Sequence, residues 1–303
     1  MFTTLLAVVV AIVLGHLVPP FAAAVRRYGW FGQWMRWLDE RFPGDGFWRG
    51  PFGIALALLP PLLLVLLFQL ALADSVLGLP SLVFGVVALF YAWGPRDLDV
   101  DVDAVVEAGD PVERHAAAAR LWPAGAQVSL AGGALIGAVF DSARRRWFGV
   151  LFWFLLLGPF GALLYRLAAI AAEGDASHLL PAGTADGARA LLAILDWPVA
   201  QLMTFAMALV GNFDAVFTAW RENDGASFSL DPGFLGAAAR ACVRTELAEE
   251  AGDDTESGVP GAAAFASGMP ALPELRDAMS LAWRILLVWL AVLALFVIAG
   301  WVS

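Results

Sequence analysis

The sequence predicts an all-α, polytopic integral membrane protein with about five transmembrane helices and extramembrane amphipathic helices. Three observations carry that reading. The 303-residue chain is 60% hydrophobic with a mean hydropathy of +0.75, and only 15% of its residues are charged, against about a quarter in ordinary globular chains. The charges fall mostly between long apolar runs. One run, WFGVLFWFLLLGPFGALLYR, carries no charge between Arg146 and Arg166, close to the roughly 20 residues a helix needs to cross a hydrocarbon core. No alternating strand pattern competes with the helical one.

The elements follow in order. Phe2–Val18 is apolar but slightly short, and it ends at His16 and the pair Pro19–Pro20. It reads as a retained anchor, with a cleaved signal peptide ending near Ala22–Ala24 as the rival. Phe52–Ala73 and Leu79–Trp93 flank a short turn and form a helical hairpin. Trp147–Tyr165 is the third span, closed at one end by Arg144, Arg145 and Arg146, with Trp147, Trp153 and Tyr165 as interfacial aromatics. Trp197–Phe213 is interrupted by Gln201, Thr204 and Gly211; a buried amphipathic helix, a re-entrant element and a poor span all remain open for it. Ile285–Val302 is the last span. Between spans, Asp110-Pro111-Val112-Glu113 is a capping signature that starts a helix to about Trp122. Ser129–Arg146 runs helically into the third span, and Asp231-Pro232 starts a helix to about Glu250. Asp97, Asp99, Asp101 and Asp103 read as a solvated loop. The chain reads as a single domain, 1–303, with Ala251–Pro270, rich in small and polar residues, as a flexible linker before the last span.

Arginine placement orients these elements. Arg26, Arg27, Arg36, Arg41 and Arg49 lie between the first two spans; Arg96, Arg114, Arg120 and Arg144–Arg146 lie between the hairpin and the third. The positive-inside rule puts both loops in the cytoplasm. An odd number of spans then places Ser303 inside and the segment from Arg166 to Ala282 outside.

Composition also excludes functions. All 18 basic residues are arginine, so a P-loop lysine, a pyridoxal Schiff base and a lysine base are impossible. A net charge of −10 argues against nucleic acid. The single Cys242 and three scattered histidines give no disulfide, zinc cluster or iron–sulfur site, and no cofactor is expected.

Two blocks carry a family resemblance. Leu151-Phe152-Trp153-Phe154 with Leu157-Gly158-Pro159-Phe160-Gly161-Ala162-Leu163-Leu164-Tyr165-Arg166, and Ile194-Leu195-Asp196-Trp197-Pro198 followed by Ala208-Leu209-Val210-Gly211 and Ala219-Trp220, resemble the AmpE family of inner-membrane proteins associated with β-lactamase induction. That family is related to the CobD/CbiB cobalamin-biosynthesis synthases. The resemblance implies a CobD/CbiB-like helical bundle, multi-pass in the bacterial inner membrane. The synthases carry an acidic motif before the first block; its positions fall here on Asp141, Ser142 and Arg145, and later polar positions fall on Ala169, Ala172, Leu192 and Ala193. An arginine in place of a ligand carboxylate repels a metal.

The candidate ligand-binding residues are Arg145, Arg144, Asp141, Asp196, Trp197 and Arg166. The arginine triplet suits an anionic, cell-wall-derived ligand or lipid headgroups. Arg166 reads as a snorkelling cation beyond the third span. Asp141 pairs with Arg144 or Arg145 one turn away, and Asp196 fits a helix N-cap ahead of Trp197-Pro198. The expected function is a regulatory or signalling accessory protein in β-lactamase induction or cell-wall stress sensing, with no catalytic residues or bound metal. A divergent membrane-bound amide ligase is the alternative. A structural partner for another inner-membrane protein, packing through Gly132, Gly133 and Gly137, is a third reading.

Overall fold

In the computed structural model, residues 2–17, 25–44, 46–73, 78–94, 97–227, 231–257 and 272–299 are described. The order is α1 (Phe2–Leu17), α2 (Gly29–Arg41), α3 (Gly53–Ala73), α4 (Leu79–Ala92), α5 (Leu98–Glu107), α6 (Pro111–Ala118), α7 (Gly132–Ala143), a π-helical turn (Arg144–Phe148), α8 (Gly149–Leu157), α9 (Pro159–Glu173), α10 (Ala182–Val210), α11 (Phe213–Glu222), α12 (Gly233–Ser257) and α13 (Pro273–Ile298). No strand occurs among the described residues. Three helices are long and apolar enough to cross a membrane: Gly53–Leu72, Ala182–Val210 and Pro273–Ile298. Leu5–Leu14 and Leu79–Ala92 are shorter apolar stretches. Leu63, Leu64, Leu67 and Phe68 on α3, and Leu287, Leu295 and Ile298 on α13, are exposed. Continuous faces of that kind are intolerable in water and suit lipid, so this is a membrane protein.

The chain divides into two units, residues 1–97, 145–199 and 291–303 in the first and 98–144 and 200–290 in the second. In the first, α1 packs on α4, while α9 packs on α3, α4 and α8. The adjacent prolines Pro60 and Pro61 lie inside α3. Pro61 has no N–H to give the Ala57 carbonyl four residues back, and the Trp34 indole donates to that oxygen instead, at 3.0 Å. A side chain from α2 thereby repairs the ladder of α3.

The uncharged run Trp147–Tyr165 does not form one spanning helix. Gly158 takes φ +69°, a conformation open to glycine and rarely to other residues, and Pro159 begins α9 immediately after it. The chain reverses there. Gly149, at the start of α8, lies against the Tyr165 ring, and Gly161 lies against the Trp153 carbonyl, pairings symmetric about the turn. The result is a tight helical hairpin. At about 1.5 Å per residue, the 9 residues of α8 fall well short of a hydrocarbon core of roughly 30 Å. Trp147 and Tyr165 are buried and are not interfacial. Gln69 of α3 secures the tip: its Nε2 donates to the Leu157 carbonyl at 3.1 Å, and its Oε1 accepts from the Phe160 N–H at 3.0 Å.

The hairpin corrects the expected topology. Its two ends return to the same side, and the start of α10 lies against the arginine-rich connection between α1 and α3: Thr184 Oγ1 donates to the Trp48 carbonyl, while Gly183 and Gly187 lie against the Arg49 and Pro51 carbonyls. A bilayer therefore does not separate residues 183–187 from residues 48–51.

In the second unit, α7 packs on α12 and α5, and α11 packs on α12. Trp283 Nε1 donates to Asp99 at 2.9 Å, and Arg284 forms a two-pronged bond with Glu246 at 2.9 and 3.1 Å. The expectation that residues 166–282 as a block lie across the bilayer from residues 94–146 fails here too. The capping signature at Asp110 is as expected: Asp110 Oδ1 accepts from the Glu113 N–H at 2.8 Å, and Glu113 accepts from the Gly109 N–H at 3.0 Å. Asp99, Asp101 and Asp103 lie on α5 rather than in a loop, with Asp101 buried. Helix α12 continues through Ser257, so the first seven residues of the expected linker are helical; 258–270, like Pro19–Pro20, lie outside the described residues. Gly133, Gly137 and Gly236 enclose the Arg240 side chain, and Gly132 lies against Glu274. The small-residue face expected to receive a partner is filled from within the chain.

Candidate functional site

Of the six residues singled out by sequence, Arg145, Asp196, Trp197 and Arg166 lie in the first unit, and Asp141 and Arg144 in the second. Asp141 and Arg144 form the expected pair one helical turn apart, at 3.3 Å. Arg145 turns to Glu173 instead: its Nη1 donates to Oε2 at 2.7 Å. Glu173 ends α9 and Arg145 precedes α8, so this ion pair ties the two feet of the hairpin together.

Asp196 is not an N-cap. Helix α10 starts at Ala182 and continues through Pro198, leaving Asp196 in its interior with a carboxylate 3% exposed that accepts the Tyr165 hydroxyl at 2.6 Å. Local sequence favours a cap at Asp-Trp-Pro; a buried phenol from the hairpin outweighs it. The neighbouring Trp197 is half-buried. The carbonyl of Leu195, three residues before Pro198, accepts the Trp153 indole N–H at 3.1 Å. Arg166 does not snorkel. It is 5% exposed, and its Nε donates to the Ala92 carbonyl at 2.7 Å.

Arg166 leads to residues that sequence reasoning assigned only to a positive loop. Arg26 is 6% exposed; its Nε donates to the Phe90 carbonyl at 2.9 Å and its Nη1 to the Gly94 carbonyl at 3.0 Å, with the guanidinium 4.7 Å over the Phe90 ring. Both arginines thus bind the last carbonyls of α4, where the helix dipole is negative. Arg146 closes the same end: its side chain lies against Gly94, and its carbonyl accepts the Gly94 N–H at 3.2 Å. Tyr28 donates to the Tyr91 carbonyl at 2.7 Å. Burial, and after it the neighbouring Arg166 cation, lowers the Arg26 pKa to about 10, while Asp97 and Tyr28 act the other way. Burial pushes the Tyr28 phenol up from its ordinary value. Arg26 Nη2 and Arg166 Nη2 are buried without a hydrogen-bond partner. Arg26 carried no distinguishing sequence signal, because the positive-inside rule explains any arginine in that loop.

Ser142 donates to the Leu121 carbonyl at 2.9 Å, and Ala169, Ala172 and Leu192 are buried. Among the described residues no three of His, Cys, Asp and Glu converge as metal ligands would. Comparison with family models, curated proteins and solved structures finds no match. What the first unit shows chemically is two buried guanidiniums and a phenol that satisfy the last carbonyls of α4 and offset the negative end of its dipole.

Proposed function

We propose that this chain is a multi-pass accessory protein of the bacterial inner membrane, of the AmpE kind, acting in β-lactamase induction or cell-wall stress sensing without ligase chemistry. The reading keeps a CobD/CbiB-like bundle, with α1, α3, α4, α10 and α13 as the membrane-embedded helices and the α8–α9 hairpin dipping in beside α3 and α4. The observation that carries it is the Arg145–Glu173 pair. Where the synthases present an acid, this chain presents a cation, and its partner carboxylate lies 2.7 Å away at the other foot of the hairpin. A compensated charge reversal maintains the scaffold while removing a metal ligand. The anionic ligand anticipated at Arg145 would have to compete with Glu173.

Deletion of the gene should alter β-lactamase induction. Arg145→Ala should reproduce the deletion without lowering membrane abundance, and the exchange Arg145→Glu with Glu173→Arg should restore much of the wild-type response. A normal response from Arg145→Ala removes the pair from the function. Turnover of ATP with magnesium and a corrinoid acid by purified protein would replace the accessory reading with the ligase one.

A further inference from the structure

Helix α2 is divided lengthwise into three stripes, because residues three and four apart share a face. Phe31, Met35 and Leu38 are buried in the protein. Gln33, Arg36 and Glu40 are exposed. Trp30, Trp34 and Trp37 form the third stripe: Trp30 is 41% and Trp37 50% exposed, and half-buried Trp34 stacks on Trp37 at 5.0 Å. Arg41 continues the tryptophan stripe at the same spacing, Arg27 stands just before the helix, and both are exposed. Among the described residues neither arginine forms an ion pair. A tryptophan face, basic ends and a separate polar face are the features of a helix that lies in a membrane surface.

The hydrogen bonds of α2 fix where it lies. Trp30 Nε1 donates to Tyr91 Oη, and the Tyr28 hydroxyl to the Tyr91 carbonyl, both at 2.7 Å and both in the last turn of α4. Trp34 Nε1 donates to the Ala57 carbonyl near the start of α3, and Asp39 accepts the indole N–H of Trp48, just ahead of α3, at 3.1 Å. Helix α2 therefore reaches across the end of α4 and the beginning of α3, on one side of both. Ala57 is four residues inside α3, a helix long and apolar enough to cross a membrane, so α2 sits about 6 Å in from its end. Interfacial helices bury their apolar face by about 5–10 Å. Leu64, on the exposed apolar face of α3, lines the same cleft as the three tryptophans, which makes their stripe continuous with a surface that suits lipid. Two of the three indole N–H groups are used inside the protein; that of Trp37 has no hydrogen-bond partner among the described residues.

We propose that α2 lies in the plane of the bilayer surface, with Trp37 among the upper acyl chains and Arg27 and Arg41 on the phosphates of anionic lipids. Depth and composition together select the occupant. The tryptophan stripe meets the boundary where one side is apolar and the other wet, the guanidinium fork suits phosphate oxygens, and the stripe of Gln33, Arg36 and Glu40 is left to water. The inference does not depend on the family reading or on Arg145.

The test uses the full chain in phosphatidylcholine nanodiscs, with Cys242→Ala as background because Cys242 is the only cysteine. A bimane fluorophore is attached at Trp37→Cys or at Arg36→Cys. At position 37 it should be quenched by lipid carrying a nitroxide high on the acyl chain and spared by aqueous iodide; at position 36 the order should reverse. Nitroxide-labelled phosphatidylglycerol should quench position 37 at about tenfold lower mole fraction than the phosphatidylcholine analogue. Arg41→Gln should cut that preference about fivefold, the change expected for one arginine near an anionic surface, and Arg41→Lys should keep it. If Trp37→Cys does not fold, the fluorophore at Arg41→Cys, on the same stripe, carries the comparison of lipid nitroxide with iodide. Quenching of position 37 by iodide and not by lipid would overturn the proposal, as would shielding from both, which would put a protein partner or a second copy on the stripe. Equal quenching by the two lipids, or a preference untouched by Arg41→Gln, would overturn it as well.

Discussion

Gln69 shows how much one polar side chain can hold in an apolar protein. A backbone carbonyl and a backbone N–H are released where the hairpin turns, and Gln69 answers both, at 3.1 and 3.0 Å. Unpaired backbone groups in a lipid-like interior cost several kcal/mol. Gln69→Leu, similar in size but without the amide, should therefore destabilise the protein by roughly 2–4 kcal/mol, read as a lower midpoint of thermal unfolding in detergent. Gln69→Glu preserves the acceptor alone and should fall between the two. Tyr165→Phe leaves Asp196 buried without the phenol that it accepts from at 2.6 Å; a loss of about 1–3 kcal/mol is expected. Asp196→Asn, which can still accept, should lose less. If Asp196 served as a local cap, Tyr165→Phe would be silent, so the order of the two variants decides between the readings.

At the scale of elements, the decisive position is Gly158. Its φ of +69° disfavours any side chain, and a Cβ there would stand 3.0 Å from Gln69 Nε2. Gly158→Ala should cost at least about 1–2 kcal/mol from backbone strain alone and should disturb the Gln69 bridge as well. A straight spanning helix predicts the opposite sign, because replacing a helical glycine by alanine stabilises. The unfolding midpoint of Gly158→Ala thus tests the hairpin directly. The same element shows where sequence is legible. The cap at Asp110 could be read because its bonds reach only three residues, Asp110 to Glu113. The apolar helices Gly53–Ala73 and Leu79–Ala92 could be read because composition alone calls for burial or lipid. In Trp147–Tyr165, hydropathy is uniform across the reversal, and only the Gly-Pro pair at 158–159 marks it. Asp196 was misplaced for the converse reason: a strong local cap signature was overridden by a tyrosine 31 residues away. Arg26 and Arg166 were legible as cations, but their joint grip on the end of α4 comes from helices distant in sequence, joined across 64 to 74 residues.

For the whole molecule, the hairpin changes which parts of the chain share a side of the membrane. Counting Trp147–Tyr165 as a crossing sends Arg166 and everything after it across the bilayer until Ala282. Returning it as a hairpin keeps the first turn of α10 beside the connection that carries Arg36, Arg41 and Arg49, as the Thr184–Trp48 bond requires. The positive-inside rule predicts a cytoplasmic location for those arginines, and with them for the start of α10. The prediction can be read in spheroplasts, with Cys242→Ala as background, since that buried residue is the only native cysteine. Cysteines introduced at Asp186 and at Arg41, both on exposed side chains, should behave alike. Both should resist a membrane-impermeant maleimide on intact spheroplasts and react once the membrane is permeabilised. Opposite behaviour at the two positions would mean that the run Trp147–Tyr165 crosses after all. Reaction at both without permeabilisation would invert the orientation while leaving the hairpin intact, because the shared side depends on the contact between residues 184 and 48 and not on the arginine count.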